Sequence, residues 1–112
     1  MAKKKIHELT DINRELQKVV NSGKMLIGAR ETMKALEGKE PKLVIYASNC
    51  PERIKGDFKD MCKDSGIAIY EYPANNSELG LACGKPYSIA SLCVIDVGGS
   101  EILQLLPVDS RE

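Results

Sequence analysis

One apolar run that passes directly into turn residues and then into a helix constrains the fold of this chain more than any other segment. The run occupies residues 42–52 and reads KLVIYASNCPE. Its apolar residues, 43–47, are typical of a strand buried on both faces of a parallel or mixed sheet. Pro51 suits the first turn of a helix, where its missing N–H is not needed. We therefore predict a buried strand that ends beside a helix N-terminus, which is where open α/β sheets bind ligands.

Asn49 lies at this strand-to-helix junction and has two possible roles. Asparagine is a favoured cap residue, so Asn49 could cap the helix that follows. It could also contact a ligand at the edge of the sheet. This segment alone favours the cap, although one side chain can serve both purposes.

Helical and strand spacings alternate along the rest of the chain. Helices are predicted over residues 7–21, through 32–36, over 51–65, over a short segment capped by Asn76 or Ser77, and from residue 100. Strands are predicted at 25–27, 43–47, 67–70 and 91–97. This order indicates a single α/β domain over residues 1–112, in which helices cover both faces of a sheet. Residues 1–6 are predicted to form a basic tail, and residues 107–112 a frayed C-terminus.

Composition and motifs exclude several functions. No apolar run approaches the roughly 18 residues of a membrane span. His7 is the only histidine, which rules out a histidine-based metal cluster or catalytic triad. Segment 23–28 has the glycine spacing of a phosphate loop, but Ala29 and Arg30 follow it instead of Lys and Ser or Thr. Segment 80–85 fails likewise, because Pro86 follows its lysine. We therefore expect no metal and no cofactor.

The four cysteines include no C-x-x-C pair, so we expect reduced and mostly buried thiols. Cys50 is the exception to consider, because a thiol beside a helix N-terminus can have a lowered pKa. A thiol-dependent or small-ligand α/β enzyme using Cys50 is therefore an alternative function. A small residue filling a turn is the simpler interpretation, since no histidine or resolving cysteine is nearby in sequence.

Charge is unevenly distributed although the net charge is zero. Residues 1–63 contain 14 basic and 9 acidic side chains, whereas residues 64–112 contain 2 and 7. Such a chain can present a basic face to a partner. The tail Lys3–Lys5 could belong to that face or could simply be solvated.

Three junctions combine features suited to RNA. Gly28, Ala29 and Arg30 lie at a second strand-to-helix junction, where free N–H groups can meet an anion. Asn49 offers an amide able to read a base edge. Tyr87, Ser88 and Ile89 place an aromatic and an aliphatic side chain in a loop. A cationic helix N-terminus, an amide and an apolar loop together suit RNA with displaced bases.

Four segments resemble the L-thirty-e family of archaeal and eukaryotic large-subunit ribosomal proteins, which belongs to the superfamily that binds kink-turn RNA. They read SGKMLIGARETMKAL, KLVIYASNCPE, NNSELGLACGKPY and CVIDVGGSEIL, in the family's order and spacing. The resemblance covers about residues 8–106. The absence of a eukaryote-like extension indicates an archaeal type.

The resemblance implies a three-layer α/β/α sandwich with a four-stranded mixed sheet. It implies a cytoplasmic structural protein, not an enzyme, that is monomeric when free, contacts no membrane and binds ribosomal RNA in the large subunit. A kink-turn-binding component of another ribonucleoprotein is the related alternative.

The resemblance also implies roles for individual residues. Ile27, Gly28, Ala29 and Arg30 would face the RNA backbone and the kinked step. Asn49 would bond a guanine edge in the sheared G·A pairs, and this role now comes before the cap. Tyr87, Ser88 and Ile89 would pack on the extruded base. Independently of the resemblance, phosphate contacts from Arg30, Lys24 and Lys34 would add a salt-dependent term to the affinity. Some relatives have Phe-Arg at the position of Tyr87-Ser88, so that arginine contact is lost here.

Overall fold

Helices and strands alternate along the part of the chain that the structure, a computed structural model, describes: the backbone of residues 2–105 and the side chains of residues 11–105. The elements within that range are α1 Ala2–Ser22, β1 Lys24–Ile27, α2 Ala29–Glu37, β2 Leu43–Tyr46, α3 Glu52–Ser65, β3 Ala68–Glu71, α4 Asn76–Ala82, β4 Ser91–Asp96 and α5 Ile102–Leu105.

The strands form one mixed sheet in the order β1-β4-β2-β3. β2 and β3 are parallel, whereas β4 is antiparallel to both β1 and β2. The carboxyl ends of β1, β2 and β3 therefore meet the start of β4 at one edge of the sheet, which we call the site edge. The fold class predicted from the sequence is confirmed.

β2 is buried on both faces, as its apolar run predicts. Leu43 and Ile45 pack into the core beneath α1, α4 and α5, whereas Val44 and Tyr46 pack into the core beneath α2 and α3. Side chains alternate between the faces of a strand, so β2 joins the two cores. The strand that carries Asn49 is therefore held on both sides.

Several element boundaries differ from the predictions. α1 begins at Ala2, so residues 2–6 of the predicted basic tail have helical backbone; the side chains of Lys3–Lys5 and residues 107–112 lie outside the described residues. Asn75, not Asn76 or Ser77, caps α4, because its extended backbone lets its side chain accept the N–H of Glu78 at 3.0 Å. Among residues 2–105, no helix combines the length and the apolar character needed to cross a membrane.

Candidate nucleic-acid interface

The structure brings the three predicted junctions together at the site edge. The Gly28 N–H, just after β1, donates to the Ser91 carbonyl at the start of β4, at 2.9 Å. The Ala47 N–H, just after β2, donates to the Ala90 carbonyl at 2.8 Å. Both bonds end on the residues that follow the loop 87–89. Backbone hydrogen bonds thus connect the ends of β1 and β2 with the start of β4, although these segments lie up to about sixty positions apart along the chain.

Asn49 is exposed and does not cap α3. The cap position of α3 is Pro51, which has no capping side chain. The Asn49 amide instead pairs with Asn76 at the start of α4: its Oδ1 accepts the Asn76 N–H at 2.9 Å, and its Nδ2 donates to the Asn76 Oδ1 at 3.1 Å. The hypothesis that Asn49 caps the following helix is therefore wrong. A carboxamide has two donor hydrogens and two acceptor lone pairs, so one of each remains for a ligand.

The loop Tyr87–Ile89 is fastened to the same helix, α4. The Ile89 N–H donates to the Asn76 carbonyl at 3.0 Å, and the Ser77 and Ser88 hydroxyl oxygens lie 3.4 Å apart. Asn76 therefore contacts both the Asn49 side chain and the loop. Ile89 is only 2% exposed, so its side chain belongs to the core and supports the loop from below.

An exposed apolar groove lies beside this loop. Tyr87 is 53% exposed and Leu81, on α4, is 69% exposed, and because both line one groove they form an apolar patch. They belong to a groove of about 270 Å³. Its lining residues are Ser77, Leu81, Lys85, Pro86, Tyr87 and Ser88.

Sequence reasoning missed the exposure of Leu81, which lies in α4 beside the buried Leu79 and Ala82. Its position two residues after the buried Leu79 is the signal that could have revealed it, because residues i and i+2 lie on different faces of a helix.

Gly28 has a backbone that other residues rarely adopt. Its φ of 108° and ψ of 153° lie in a region used almost only by glycine. A Cβ built at this position would meet no atom within 4 Å. Gly28 therefore leaves open space directly before the N-terminus of α2, where a ligand backbone can approach closely.

α2 continues this surface with two cations. Arg30 and Lys34 are exposed and share one face because they are four residues apart. Within the described residues neither forms an ion pair, so both are available to an anion. Ile27 and Ala29, on either side of Gly28, are partly buried. Lys24 lies at the opposite end of β1, about 10 Å from Ile27, and does not share the site edge.

The structure gives no support to thiol chemistry. Cys50 is buried, and desolvation raises the pKa of its thiol above the ordinary value, in spite of nearby Lys55. Burial likewise raises the pKa of Cys62 to about 12 and that of Cys83 to about 11. An activated nucleophile needs a lowered pKa. Among the described residues there is no cluster of side chains that could hold a metal ion.

Comparisons with known proteins agree with the site. Residues 10–104 match the family described as "Ribosomal protein L7Ae/L30e/S12e/Gadd45 family". Two proteins called "Large ribosomal subunit protein eL30" are similar over 88% of this chain. The one from Pyrobaculum calidifontis is 45% identical over 97% of its own length, and the one from Methanocaldococcus jannaschii is 37% identical over 90% of its own length.

These matches lie among ribosomal proteins and not in a family of enzymes, in agreement with the expectation that the protein catalyses no reaction. They extend over both cores and over all three junctions of the site edge. The chain belongs to the ribosomal protein L7Ae/L30e/S12e/Gadd45 family.

Proposed function

We propose that the protein is a structural constituent of the large subunit of the cytoplasmic ribosome and that it binds kink-turn ribosomal RNA with its site edge. The observation that carries the proposal is the convergence of Gly28–Arg30, Asn49 and Tyr87–Ile89 on one framework of hydrogen bonds. The sequence identity of 45% and 37% to two proteins called large ribosomal subunit protein eL30 supports the ribosomal assignment.

Each part of the site edge suits one part of a kinked RNA. The open space at Gly28 admits the sugar-phosphate backbone, and Arg30 and Lys34 neutralise phosphates beside it. Asn49 presents its free donor and acceptor to a guanine edge in the sheared G·A pairs. Because one donor and one acceptor of the Asn49 amide already form hydrogen bonds with Asn76, the amide is held in place before the RNA binds.

Tyr87 provides a stacking surface for the extruded base. Stacking of a base on an aromatic ring is worth about 1–3 kcal/mol. The neighbouring groove, which Leu81 also lines, offers apolar contact to the base, and Lys85 lines the same groove. Ser88, through its contact with Ser77, and the buried side chain of Ile89 hold the loop against α4 and the core.

An affinity measurement tests the role of Asn49. The Asn49→Ala variant is titrated with a fluorescent RNA hairpin that contains a kink-turn. We expect about a 10-fold to 100-fold loss of affinity, since a good amide-to-base pair contributes about 1–3 kcal/mol. Ser65→Ala, at the far end of α3, is the matched control and should bind as the wild type does. Equal affinity of Asn49→Ala and wild type would contradict the role.

Sedimentation tests the ribosomal assignment separately. Lysate of the source cells is layered on a sucrose gradient at moderate salt, and the protein is followed by immunoblot. We expect it in the large-subunit fraction. Its presence only with smaller RNA–protein particles would favour the alternative, a component of another ribonucleoprotein.

A further inference from the structure

Lys55 stands out as a buried cation in the first turn of α3. The residue is 9% exposed, although lysine is almost never buried unless it is paired. Lys55 precedes the buried Phe58 by three residues and Cys62 by seven, so it lies on the buried face of the helix. Burying an ammonium group is costly unless several partners compensate it, so its contacts are informative.

The Lys55 ammonium reaches back to the turn that carries Asn49. Its Nζ donates to the Ser48 carbonyl at 2.8 Å, the shortest of its contacts. Glu52 and Glu71 balance the charge at 3.3 and 3.8 Å, and the Tyr46 ring centroid lies 5.8 Å away. A hydrogen bond from a charged donor is stronger than one between neutral groups. The Ser48 carbonyl accepts no other hydrogen bond from the described residues.

Ser48 is thereby held on both sides. Its N–H donates to the Ala74 carbonyl at 2.9 Å, and its carbonyl accepts from Lys55. That carbonyl belongs to the peptide plane shared with Asn49. Fixing the plane fixes the position of the Asn49 Cα, from which the side chain starts, since a peptide unit is rigid up to the next Cα.

We propose that Lys55 is a positioning residue for RNA recognition: it orients Asn49 through the Ser48 carbonyl and does not itself contact the RNA. The proposal rests on the proposed function in so far as Asn49 meets RNA. It predicts three properties that a phosphate-binding lysine would not have.

The first property concerns the protein without RNA. Lys55→Met keeps the apolar stem and removes the ammonium, whereas Lys59→Met, one turn along the same helix and exposed, is the control. In NMR spectra of the free protein, Lys55→Met should shift the Asn49 side-chain amide resonances and accelerate their exchange with water. Lys59→Met should leave them unchanged. Unmoved Asn49 resonances in Lys55→Met would overturn the proposal regardless of what RNA does.

The second property is dependence on Asn49. We expect Lys55→Met to weaken kink-turn binding about tenfold in the wild-type background, a fraction of the discrimination that one base contact provides. In the Asn49→Ala background the same substitution should change affinity less than twofold, since coupled residues are not additive. An equal loss in both backgrounds would show that Lys55 acts independently of Asn49 and would overturn the proposal.

The third property is salt dependence. Removing a lysine that contacts a phosphate reduces the slope of log affinity against log salt concentration by about one. Lys55→Met should leave the slope unchanged, and Lys34→Met should reduce it. Lys55→Arg keeps a charged donor and should recover part of the lost affinity. If Lys55→Arg binds the kink-turn no more tightly than Lys55→Met does, the proposed hydrogen bond to the Ser48 carbonyl is contradicted.

These measurements separate the two proposals. If Asn49→Ala binds RNA normally while Lys55→Met still shifts the Asn49 resonances, the proposed function of Asn49 fails and the positioning by Lys55 stands. Thermal melts of every variant establish that each is folded.

Discussion

A methyl group added at Gly80 should loosen the loop that carries Tyr87, and the size of the effect follows from the structure. Gly80 lies in α4 and is buried. A Cβ at this position would lie 2.0 Å from the Tyr87 carbonyl oxygen, about 1.4 Å short of the 3.4 Å at which ordinary contact begins. The obstructing atom is backbone, so no side chain can rotate away, and either α4 or the loop must move.

Gly56 provides a matched control. It lies within α3, where an added Cβ would meet nothing within 4 Å. Glycine within a helix is less favourable than alanine by about 0.5–1 kcal/mol. Gly56→Ala should therefore stabilise the protein by that amount, whereas Gly80→Ala gains the same helix propensity but incurs overpacking, typically about 1–3 kcal/mol and occasionally more.

The two variants should move the melting temperature in opposite directions. For a domain of this size the entropy of unfolding is about 0.24 kcal/mol per kelvin. Gly56→Ala should raise the midpoint by about 2–4 °C. For Gly80→Ala, overpacking less a propensity gain of about 0.5 kcal/mol leaves a net loss of about 0.5–2.5 kcal/mol, which should lower the midpoint by about 2–10 °C. Circular dichroism measures both. In kink-turn titrations Gly80→Ala should also lose affinity, because Tyr87 is displaced. A rise in midpoint for Gly80→Ala would refute the close approach of α4 to the loop.

Four further predictions concern single residues. Tyr87→Ala should weaken kink-turn binding by about 1–3 kcal/mol without lowering the melting temperature, as fluorescence titration and a melt can establish. Gly28→Ala should lose about 1–3 kcal/mol of stability to backbone strain, measured by urea unfolding. Hydrogen bonds from the Glu101 N–H and Ser100 hydroxyl lower the pKa of Glu15 in the folded protein. The ionised Glu15 therefore stabilises the fold at pH values above its ordinary pKa of 4.5, and this stabilisation is lost as the pH falls through the lower pKa of the folded state. Unfolding midpoints of wild type and Glu15→Gln should therefore converge in acid and separate near neutrality. Cys50 should react with iodoacetamide far more slowly in the folded than in the unfolded protein at pH 8, because burial raises its pKa.

Local patterns were sufficient to predict the order of elements and the layered fold. The apolar run of β2 and the helical spacing in α1 each depend on neighbours in sequence. Element ends were less certain: nothing local distinguishes Asn75 from Asn76 as the cap of α4, and the choice depends on the backbone angle at Asn75.

Contacts between distant residues could not be predicted in this way. Its neighbours in sequence predict that Asn49 caps α3. Its side chain instead forms a hydrogen bond with Asn76, which lies 27 residues further along the chain. The contact of Lys55 with Glu71, on β3, likewise depends on how α3 packs against the sheet. The site residues came from junction chemistry and family resemblance, and the structure explains why these junctions can act together.

The central claim is that the site edge recognises the kinked geometry of RNA and not merely its charge. The most direct measurement is the affinity of the wild-type protein for a kink-turn hairpin and for the same hairpin with its sheared G·A pairs replaced by Watson–Crick pairs, at one salt concentration. We expect binding at least about 100-fold tighter to the kink-turn, since specific sites are typically bound more than about 1,000-fold tighter than non-specific nucleic acid. Equal affinity for the two hairpins would contradict it.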